Sequence, residues 1–336
     1  MTISENVSLK NYSTMRLGGN ARYLCEIHTE NDLLQALEFA TNNNLKFKVI
    51  GSGSNLIWPD NGFDGLVIVN KIENFKIDGT QVEIGAGEDW DSVVEKTVNN
   101  NLSGIEFLSL IPGSTGATPV QNVGAYGCEI KDVLVSLRAY DTEQNQIVEI
   151  TNVECGFGYR SSRFNGVDSG RFIITSIKLQ LSSDNPAPPF YDSLQKYFEL
   201  NNISTYSPQA IREAVISVRT AKLPDPDYVA NNGSFFSNPI IDSTDFENIK
   251  IVFPEIVGWP FEDGIKVSAA WLIENSGFKD FHDAETGLAT WATQPLVIIN
   301  EHANSTADLV KFRDKIIKAV YDKFRILLQQ EPELVE

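Results

Sequence analysis

A run of small residues, residues 111–127, constrains this chain more than any other stretch. It contains four glycines among Ser, Thr, Gln and Asn, so it offers backbone N–H groups and short hydroxyls but little packing surface. Such a segment suits a backbone that lies directly against a flat, polar partner, with glycine where a side chain would collide. The alternative is a long surface loop, although such loops are uncommon unless they are functional. A second glycine-rich turn, residues 51–55, favours a cofactor cradle built from two separated segments.

The length and composition indicate a globular protein of two or three domains. The chain has 336 residues, of which 42% are hydrophobic and 21% charged. Its longest apolar stretches, such as residues 296–299, are too short to span a bilayer, and the N-terminus lacks the features of a signal peptide. Three widely spaced cysteines, Cys25, Cys128 and Cys155, argue against a disulfide framework or a zinc site. We therefore expect a cytoplasmic protein without a metal and without membrane insertion.

The charge balance narrows the class of ligand. A formal net charge of −18 argues against nucleic acid, because phosphate contacts require a basic face. With only 27 Lys and Arg residues, an anionic small molecule would have to be bound where a few cations converge.

Helix and strand signals alternate along the chain. A capping box at residues 29–32 opens one helix, and a strand at residues 47–50 runs directly into the first glycine turn. The G-x-G-x-x-G fingerprint is incomplete there, because Leu56 stands where the third glycine belongs, so a Rossmann domain is not predicted. No P-loop motif is present either. Further strands are predicted at residues 66–69, 133–140, 146–150, 173–181 and 296–299.

Helices are predicted around residues 93–98, after the Ser207-Pro208 pair, at residues 268–275 and along a long final segment capped by residues 305–308. A hairpin is predicted around residues 78–80. The proline-rich residues 185–189 indicate a loop. Together these signals predict either an α+β or an α/β fold, with two cofactor-binding lobes and a third domain.

Six segments, in order along nearly the whole chain, resemble the UDP-N-acetylenolpyruvoylglucosamine reductase (MurB) family. They are residues 51–55, 111–127, 155–160, 222–226, 233–236 and 331–333. The resemblance implies an α+β fold: a p-cresol methylhydroxylase-type FAD-binding domain of two α/β subdomains, and a separate α+β substrate domain. Tyr191 resembles the tyrosine of the substrate-covering loop that marks the longer subclass of the family.

The resemblance also implies domain ranges and a reaction. Residues 1–65 would form the first FAD-binding subdomain, and the C-terminal tail, residues 326–336, would return to it. Residues 66–200 would form the second FAD-binding subdomain. Residues 201–325 would form the substrate domain. The implied activity is the reduction of UDP-N-acetylglucosamine enolpyruvate to UDP-N-acetylmuramate in peptidoglycan synthesis, and hence in cell-wall biogenesis, cell shape and cell division. NADPH would reduce a non-covalently bound FAD and leave before the UDP-sugar binds. We expect a monomer.

Three residues match the catalytic positions of the family. Hydride addition to the vinyl group places negative charge on the neighbouring carboxylate, and an adjacent carbon must receive a proton. Arg160 would stabilise that charge; the alternatives are a surface ion pair for Arg160, or Arg163 in its place. Ser234 would donate the proton, although a serine after glycine is more often a turn residue. Glu333 would act with Arg160, whereas an acid so near the end is ordinarily a solvated tail residue.

The remaining candidates are contacts to ligands. Lys222 and Asn238 resemble contacts to the pyrophosphate of the UDP-sugar; the alternatives are a helix C-terminal cation for Lys222 and a core aromatic for Tyr126. The proposed FAD-binding residues are Gly51, Ser52, Gly53, Ser54, Asn55, Pro112, Gly113, Ser114, Thr115, Gly116, Gln121, Asn122, Gly124 and Ala125. The proposed substrate-binding residues are Tyr126, Tyr191, Lys222, Asn238, Lys266 and Gln294.

Departures from the family pattern put some contacts in doubt. Ser237 stands where the family often has Lys, which removes one cation near the phosphates. Residues 291–294 replace a His-containing run, and the chain ends a few residues earlier than many relatives. We also expect the last four residues, 333–336, to contribute little to stability, about 1 kcal/mol or less.

Two rival functions remain open at this point. The first is an FAD oxidase, although His28, His282 and His302 all lie outside the glycine-rich segments where such oxidases often tether flavin. The second is a catalytically silent sugar-nucleotide-binding protein, which would not need Arg160, Ser234 and Glu333 together.

Overall fold

The structure is a computed structural model that describes all of residues 1–336. Its helices are α1 (Glu30–Asn42), α2 (Trp90–Asn99), α3 (Asp192–Leu200), α4 (Pro208–Lys222), α5 (Ser243–Val252), α6 (Ala269–Asn275) and α7 (Thr306–Phe324). Its strands are β1 (Ile3–Ser8), β2 (Asn20–Ile27), β3 (Lys46–Ile50), β4 (Leu56–Ile57), β5 (Phe63–Asn70), β6 (Phe75–Asp78), β7 (Gln81–Gly85), β8 (Gly124–Ala125), β9 (Cys128–Glu129), β10 (Leu134–Asp141), β11 (Gln146–Thr151), β12 (Phe172–Gln180), β13 (Ala230–Ser234), β14 (Ile240–Ile241), β15 (Gly258–Phe261), β16 (Gly264–Val267), β17 (His282–Asp283), β18 (Leu288–Trp291), β19 (Gln294–Asn300) and β20 (Glu333–Leu334). No helix is long and apolar enough to cross a membrane.

The chain divides into two compact units, each assembled from separate segments. Unit 1 comprises Met1–Val7, Ala21–Ser52 and Asp64–Ala221, and unit 2 comprises Ser8–Asn20, Gly53–Phe63 and Lys222–Glu336.

Unit 1 contains two sheets, each with a helix that covers a face. The first has the order β1-β2-β5-β3, with β3 and β5 parallel, and α1 places Leu33 and Ala36 against Leu66 and Ile68 of β5. The side chain of Thr29 accepts a hydrogen bond from the N–H of Asp32, so the predicted cap of α1 is confirmed.

The second sheet of unit 1, with the order β11-β10-β12-β7-β6, packs on α2. Its pairings are antiparallel throughout, and β6 and β7 form the predicted hairpin. The sequence predicts that Ile173, Thr175, Ile177 and Leu179 share one face of β12, and this is wrong for Ile173. A register shift at Thr175 places Ile174 in the core of this sheet with Ile177 and Leu179, whereas Ile173 lies in the core of the first sheet. The valines of α2 pack against the core residues of this sheet, which confirms the apolar stripe that the sequence predicts for this helix.

The helical pair α3 and α4 completes unit 1. Ser207 accepts a hydrogen bond from the N–H of Ala210 and precedes a proline at the first helical position, as predicted. Leu194 and Phe198 of α3 pack against Ile211 and Val215 of α4. This packing places residues 201–221 in unit 1, whereas the sequence assigned them to the substrate domain, since α3 was not predicted as a partner for α4.

Unit 2 holds two further sheets, β13-β19-β18-β17 and β14-β16-β15, and a parallel pair, β20-β4. Its core joins Phe235 and Phe236 to Leu272 of α6 and to Phe312 and Ile316 of α7. Residues 8–20 and 53–63 belong to this unit, although they lie within the range predicted for the first FAD-binding subdomain. The division of the FAD-binding domain into two subdomains at residue 65 stays a prediction.

An ion pair between the buried Arg212 and the half-buried Asp91 fixes the start of α2 to α4 within unit 1. The guanidinium of Arg212 donates two hydrogen bonds to the carboxylate of Asp91, at 2.6 and 2.9 Å, and the N–H of Leu110 donates a third at 2.6 Å. Burial raises the pKa of Asp91, but these hydrogen bonds outweigh it and leave the pKa below its usual value. The carboxylate therefore joins α2, α4 and the residue that enters the glycine-rich run.

Replacement of Arg212 by Met is expected to lower the free energy of unfolding by about 2 kcal/mol, because it leaves the half-buried carboxylate of Asp91 without its partner. The matched control is Arg138→Met, which breaks an equally bidentate pair with Glu30 whose arginine side chain is 54% exposed. That change should cost under about 1 kcal/mol. Urea unfolding of both variants measures the difference, and equal losses would show that burial does not matter here.

Candidate functional site

The two predicted glycine-rich segments touch each other in unit 1. A Cβ built on Gly51 would lie 2.0 Å from Oγ of Ser114, and a Cβ on Gly116 would lie 2.5 Å from Cβ of Ala86. Neither position leaves room for a side chain, because carbon atoms do not approach so closely. Gly113, between them, has a φ of +144°. Glycine is therefore required for the approach of these backbones, as the sequence predicts.

The same place carries hydrogen-bond donors that the protein does not use. The N–H groups of Ser52, Gly113 and Ser114 have no acceptor within the chain, and Oγ1 of Thr115 is buried without a partner. Buried polar groups are normally paired, so this arrangement suits a ligand that brings several acceptors. The pyrophosphate of a dinucleotide is such a ligand, and the residues present therefore fit FAD.

Asn122, in the second half of the glycine-rich run, is hydrogen-bonded to the turn that carries Arg160. Asn122 is fully buried, and its side-chain nitrogen donates to Oε2 of Glu129 and to the carbonyl of Gly158, both at 3.0 Å. Because these bonds use its side-chain donors, and its backbone N–H donates to the carbonyl of Pro119 at 3.4 Å, Asn122 positions the loop. Arg160 has a φ of +51°, and its Nη2 donates to the carbonyl of Gly124 at 3.2 Å.

Gln121, Gly124 and Ala125 are half-buried beside Asn122, whereas Pro112 is exposed at the start of the run. Arg160 is held in the left-handed region, where a residue with a side chain is strained by about 1–3 kcal/mol. Such strain is more common at functional sites than elsewhere, so the conformation supports the choice of Arg160. Arg163, the alternative, is instead paired with Asp168 at 2.7 Å.

A cavity of about 510 Å³ lies beside these residues in unit 1. Its lining includes Tyr126, Tyr191, Phe107 and Phe190, and the rings of Tyr126 and Tyr191 meet edge to face at 5.7 Å. Both tyrosines predicted to bind substrate therefore lie at one cavity. Its volume lies within the range of small-molecule sites.

Arg219 of α4 is a residue that the sequence analysis missed. Its guanidinium lies close to the hydroxyl of Tyr126, and its Nη2 donates to the carbonyl of Leu110 at 3.2 Å. Burial lowers the pKa of Arg219; burial also raises the pKa of Tyr126, against the opposing effect of the guanidinium. The spacing from Arg212 to Arg219, two helical turns on one face, was the available signal.

In unit 2, a β-bulge presents Ser234. The pairing of β13 with β19 shifts register between Asn231 and Ser234, and Gly233 at the bulge has a φ of +68°. Oδ1 of Asn231 accepts a hydrogen bond from the N–H of Gly233 at 2.8 Å, which closes the turn. Ser234 is exposed, and its hydroxyl has no hydrogen-bond partner within the chain. That hydroxyl is available to a substrate.

The C-terminal tail is part of the fold of unit 2. The N–H of Glu333 donates to the carbonyl of Asn55 at 2.9 Å, and β20 pairs in parallel with β4. On its other side, the N–H of Glu331 donates to the carbonyl of Phe235, the neighbour of Ser234. Glu333 itself is exposed. Its backbone is therefore fixed between the first glycine turn and the segment after Ser234, while its side chain reaches solvent.

The other predicted substrate contacts also lie in unit 2. Lys222 is exposed at the end of α4, and Oγ1 of Thr293 donates to its carbonyl at 2.7 Å, so the divergent run at residues 291–294 contacts the Lys222 segment. Oδ1 of Asn238 accepts from the N–H of Ala269 at 2.9 Å, which leaves its side-chain nitrogen as a donor. Lys266 in β16 lies over the ring of Phe261, and Gln294 begins β19.

The predicted site residues are thus divided between the units. Unit 1 holds Gly51, Ser52, Pro112, Gly113, Ser114, Thr115, Gly116, Gln121, Asn122, Gly124, Ala125, Tyr126, Arg160 and Tyr191. Unit 2 holds Gly53, Ser54, Asn55, Lys222, Ser234, Asn238, Lys266, Gln294 and Glu333. A Cβ on Gly53 would lie 2.1 Å from the carbonyl oxygen of Tyr12, so the first glycine turn is close-packed in unit 2 as well.

Comparisons with known proteins agree with this site. A model of the FAD binding domain matches residues 21–151, so the chain is an FAD-binding flavoprotein with the predicted p-cresol methylhydroxylase-type domain. A model of the C-terminal domain of UDP-N-acetylenolpyruvoylglucosamine reductase matches residues 225–335. The chain belongs to the UDP-N-acetylenolpyruvoylglucosamine reductase family, and the predicted fold class and resemblance are confirmed.

The relatives cover the whole chain. The reductase of Flavobacterium johnsoniae is 38% identical and aligns over 100% of both chains. That of Pseudomonas aeruginosa is 36% identical over 99% of each chain. The crystal structure of the reductase from Thermus caldophilus matches over 100% of both chains with a TM-score of 0.71 at 22% identity, which shows a shared fold.

The tail contributes more to stability than the sequence suggests. Val335 is buried, and its N–H donates to the carbonyl of Ile57 at 3.0 Å. Deletion of residues 333–336 removes this apolar side chain and two backbone hydrogen bonds. It should therefore lower the free energy of unfolding by about 2–4 kcal/mol.

The point variants Val335→Ala and Glu333→Gln separate the two contributions. Val335→Ala should cost about 1.5 kcal/mol, and the exposed Glu333→Gln less than about 0.5 kcal/mol. Urea unfolding is the measurement. A truncated protein as stable as the full chain would restore the view that the tail is dispensable for folding.

Proposed function

We propose that this chain catalyses the NADPH-dependent, FAD-mediated reduction of UDP-N-acetylglucosamine enolpyruvate to UDP-N-acetylmuramate, a step of peptidoglycan precursor synthesis. The observation that carries the proposal is the full-length match to reductases named for this substrate, at 38% and 36% identity. The FAD-binding match and the geometry of the glycine-rich segments support the cofactor.

FAD would be held by backbone donors rather than by charged side chains. The unpaired N–H groups of Ser52, Gly113 and Ser114 and the hydroxyl of Thr115 would receive its phosphates, and the remaining predicted residues would surround it. When bound, FAD supplies hydride transfer, with NADPH as the donor and the enolpyruvyl double bond as the acceptor. No covalent tether is proposed.

Residues of the chain would stabilise the developing negative charge and would supply the proton. The guanidinium of Arg160 would bind the carboxylate of the enolpyruvyl group, on which negative charge develops, and Glu333 would act with it. The hydroxyl of Ser234 would donate the proton to the carbon next to that carboxylate. Its exposure on a rigid bulge supports this role, since a proton donor must be reachable and fixed.

The UDP moiety would be bound by Tyr126, Tyr191, Lys222, Asn238, Lys266 and Gln294. Lys222 and the side-chain nitrogen of Asn238 supply donors suited to a pyrophosphate. Because the substrate, the product and NADPH are all charged small molecules, we place the reaction in the cytoplasm, and we propose a monomer that binds NADPH and the UDP-sugar in turn.

The purified protein should be yellow, and denaturation should release its FAD into solution because no residue is proposed to tether it. It should oxidise NADPH at a rate that depends on the enolpyruvyl substrate. Absorbance of the flavin and loss of NADPH absorbance are the measurements. A colourless protein that FAD cannot reconstitute would contradict the proposal, and oxygen-dependent turnover without the enolpyruvyl substrate would instead indicate an oxidase.

Ser234→Ala should leave the reduction of flavin by NADPH nearly unchanged and slow its reoxidation by the enolpyruvyl substrate by about 10²–10⁴-fold, the usual contribution of a positioned general acid. Rapid-mixing measurements of the two half-reactions separate these effects. The exposed Ser169, which lies in a turn of unit 1, provides the control variant Ser169→Ala, for which both rates should stay near wild type. Equal slowing of both half-reactions by Ser234→Ala would assign Ser234 to flavin binding or folding.

A further inference from the structure

Asn232 lies next to the bulge that presents Ser234, and no role has been assigned to it above. It is only 6% exposed. Its side-chain nitrogen donates to the carbonyl of Ser54 at 3.0 Å, with longer contacts to Oγ1 of Thr14 at 3.2 Å and to the carbonyl of Leu56 at 3.4 Å. One buried amide thus shares its two N–H groups among acceptors on two distant segments of unit 2.

These segments are the first glycine turn and the N-terminal loop that supports it. Oγ1 of Thr14 donates to the carbonyl of Ser54 at 3.3 Å, and the N–H of Thr14 donates to the carbonyl of Gly53. The N–H of Asn231 in turn donates to the carbonyl of Thr14 at 3.0 Å. The turn proposed to bind FAD is therefore attached to β13 through Thr14 and Asn232.

The bulge makes this attachment possible. In a regular strand, residues 232 and 234 would point to the same face, but the extra residue at the bulge separates them. Asn232 is consequently buried against the Ser54 carbonyl, while Ser234 is exposed. Any displacement of Asn232 along β13 would move Ser234 as well, because only Gly233 lies between them.

The other atom of the amide points to a ligand or solvent partner. Oδ1 of Asn232 is buried and has no hydrogen-bond partner in the chain. An unpaired buried acceptor is unfavourable, so an amide is retained here for its donors, for a partner supplied by a bound molecule, or for both. Packing alone would be served by an apolar residue of similar size.

We propose that Asn232 is a positioning residue that fixes the Ser54 turn and the Ser234 bulge to each other, so that the cofactor segment and the proton donor keep a constant relative position. The proposal rests on the proposed function for the role of Ser234. The attachment of the cofactor segment is tested separately, by FAD binding.

The first test is FAD binding by apoprotein, followed through flavin fluorescence. Asn232→Ala should raise the Kd for FAD by roughly tenfold, the equivalent of one or two lost hydrogen bonds. Asn232→Asp should raise it at least as much, because a carboxylate facing the Ser54 and Leu56 carbonyls has no donor. Thr14→Val removes the hydroxyl that accepts a hydrogen bond from Asn232, so it should also raise the Kd for FAD. This variant replaces the Asn232 variants in the test if they do not fold.

The second test is a double-mutant cycle on reoxidation of the reduced flavin by the enolpyruvyl substrate. Asn232→Ala should slow this step by roughly tenfold when Ser234 is present, and by less than about threefold in the Ser234→Ala background, since coupled residues are not additive. The control is Asn152→Ala in unit 1, which also removes an amide that bridges two carbonyls, those of Lys131 and Leu134. It should lower stability but leave both readouts within about twofold.

The outcomes separate the proposals. An unchanged Kd for FAD in both the Asn232 and the Thr14 variants, or equal slowing in both Ser234 backgrounds, would overturn the positioning role, as would an Asn152→Ala variant that behaves like Asn232→Ala. If the wild-type protein binds FAD but does not reduce the enolpyruvyl substrate, the proposed function fails, and the Kd for FAD alone decides whether Asn232 fixes the cofactor segment.

Discussion

The contact between Gly51 and Ser114 is the constraint on which the rest of unit 1 depends. The two backbones approach so closely that a single Cβ would meet Oγ of Ser114 at 2.0 Å. Residues 113–115 are held in place from behind, because Gly113 accepts from the N–H of Trp90 and the N–H of Thr115 donates to the carbonyl of Glu88. These bonds engage the start of α2. The Asp91–Arg212 pair then joins that same turn to α4, so the backbone donors of residues 113 and 114 depend on an ion pair behind them.

In unit 2, backbone pairing between short segments holds the candidate residues in place. Two short segments, residues 54–57 and 234–237, each pair with the tail, residues 329–335, although none of the three is long enough to be a stable strand alone. The tail lies between the other two and bonds to each. Pro332 and Val335 are buried, whereas Glu333 and Leu334 between them are exposed. The acid is thus displayed by a backbone that is fixed on both sides.

The sequence predicted those elements that are encoded locally. The cap at Thr29, the Ser207-Pro208 start of α4 and the β6–β7 hairpin are all present, since each depends on residues a few positions apart. It did not predict the pairing of β20 with β4, which joins residues more than 270 positions apart. Arg219 was missed for a related reason, because its importance comes from Tyr126 and Leu110, which no local pattern connects to α4.

The motifs likewise predicted which residues belong to the site, but not the role of each side chain within it. Asn122 lies in the glycine-rich run and was assigned to the cofactor, yet its side chain holds Gly158 and Glu129, and so the turn of Arg160. Ser234 shows the converse. Phe235 and Phe236, which follow it, are 0% and 1% exposed, whereas neighbours in a regular strand would face opposite ways and only one would face a single core. Both rings lie in one core, where they meet edge to face at 5.3 Å, because the regular strand ends at Ser234. Their burial leaves an exposed serine on a backbone with little freedom to move.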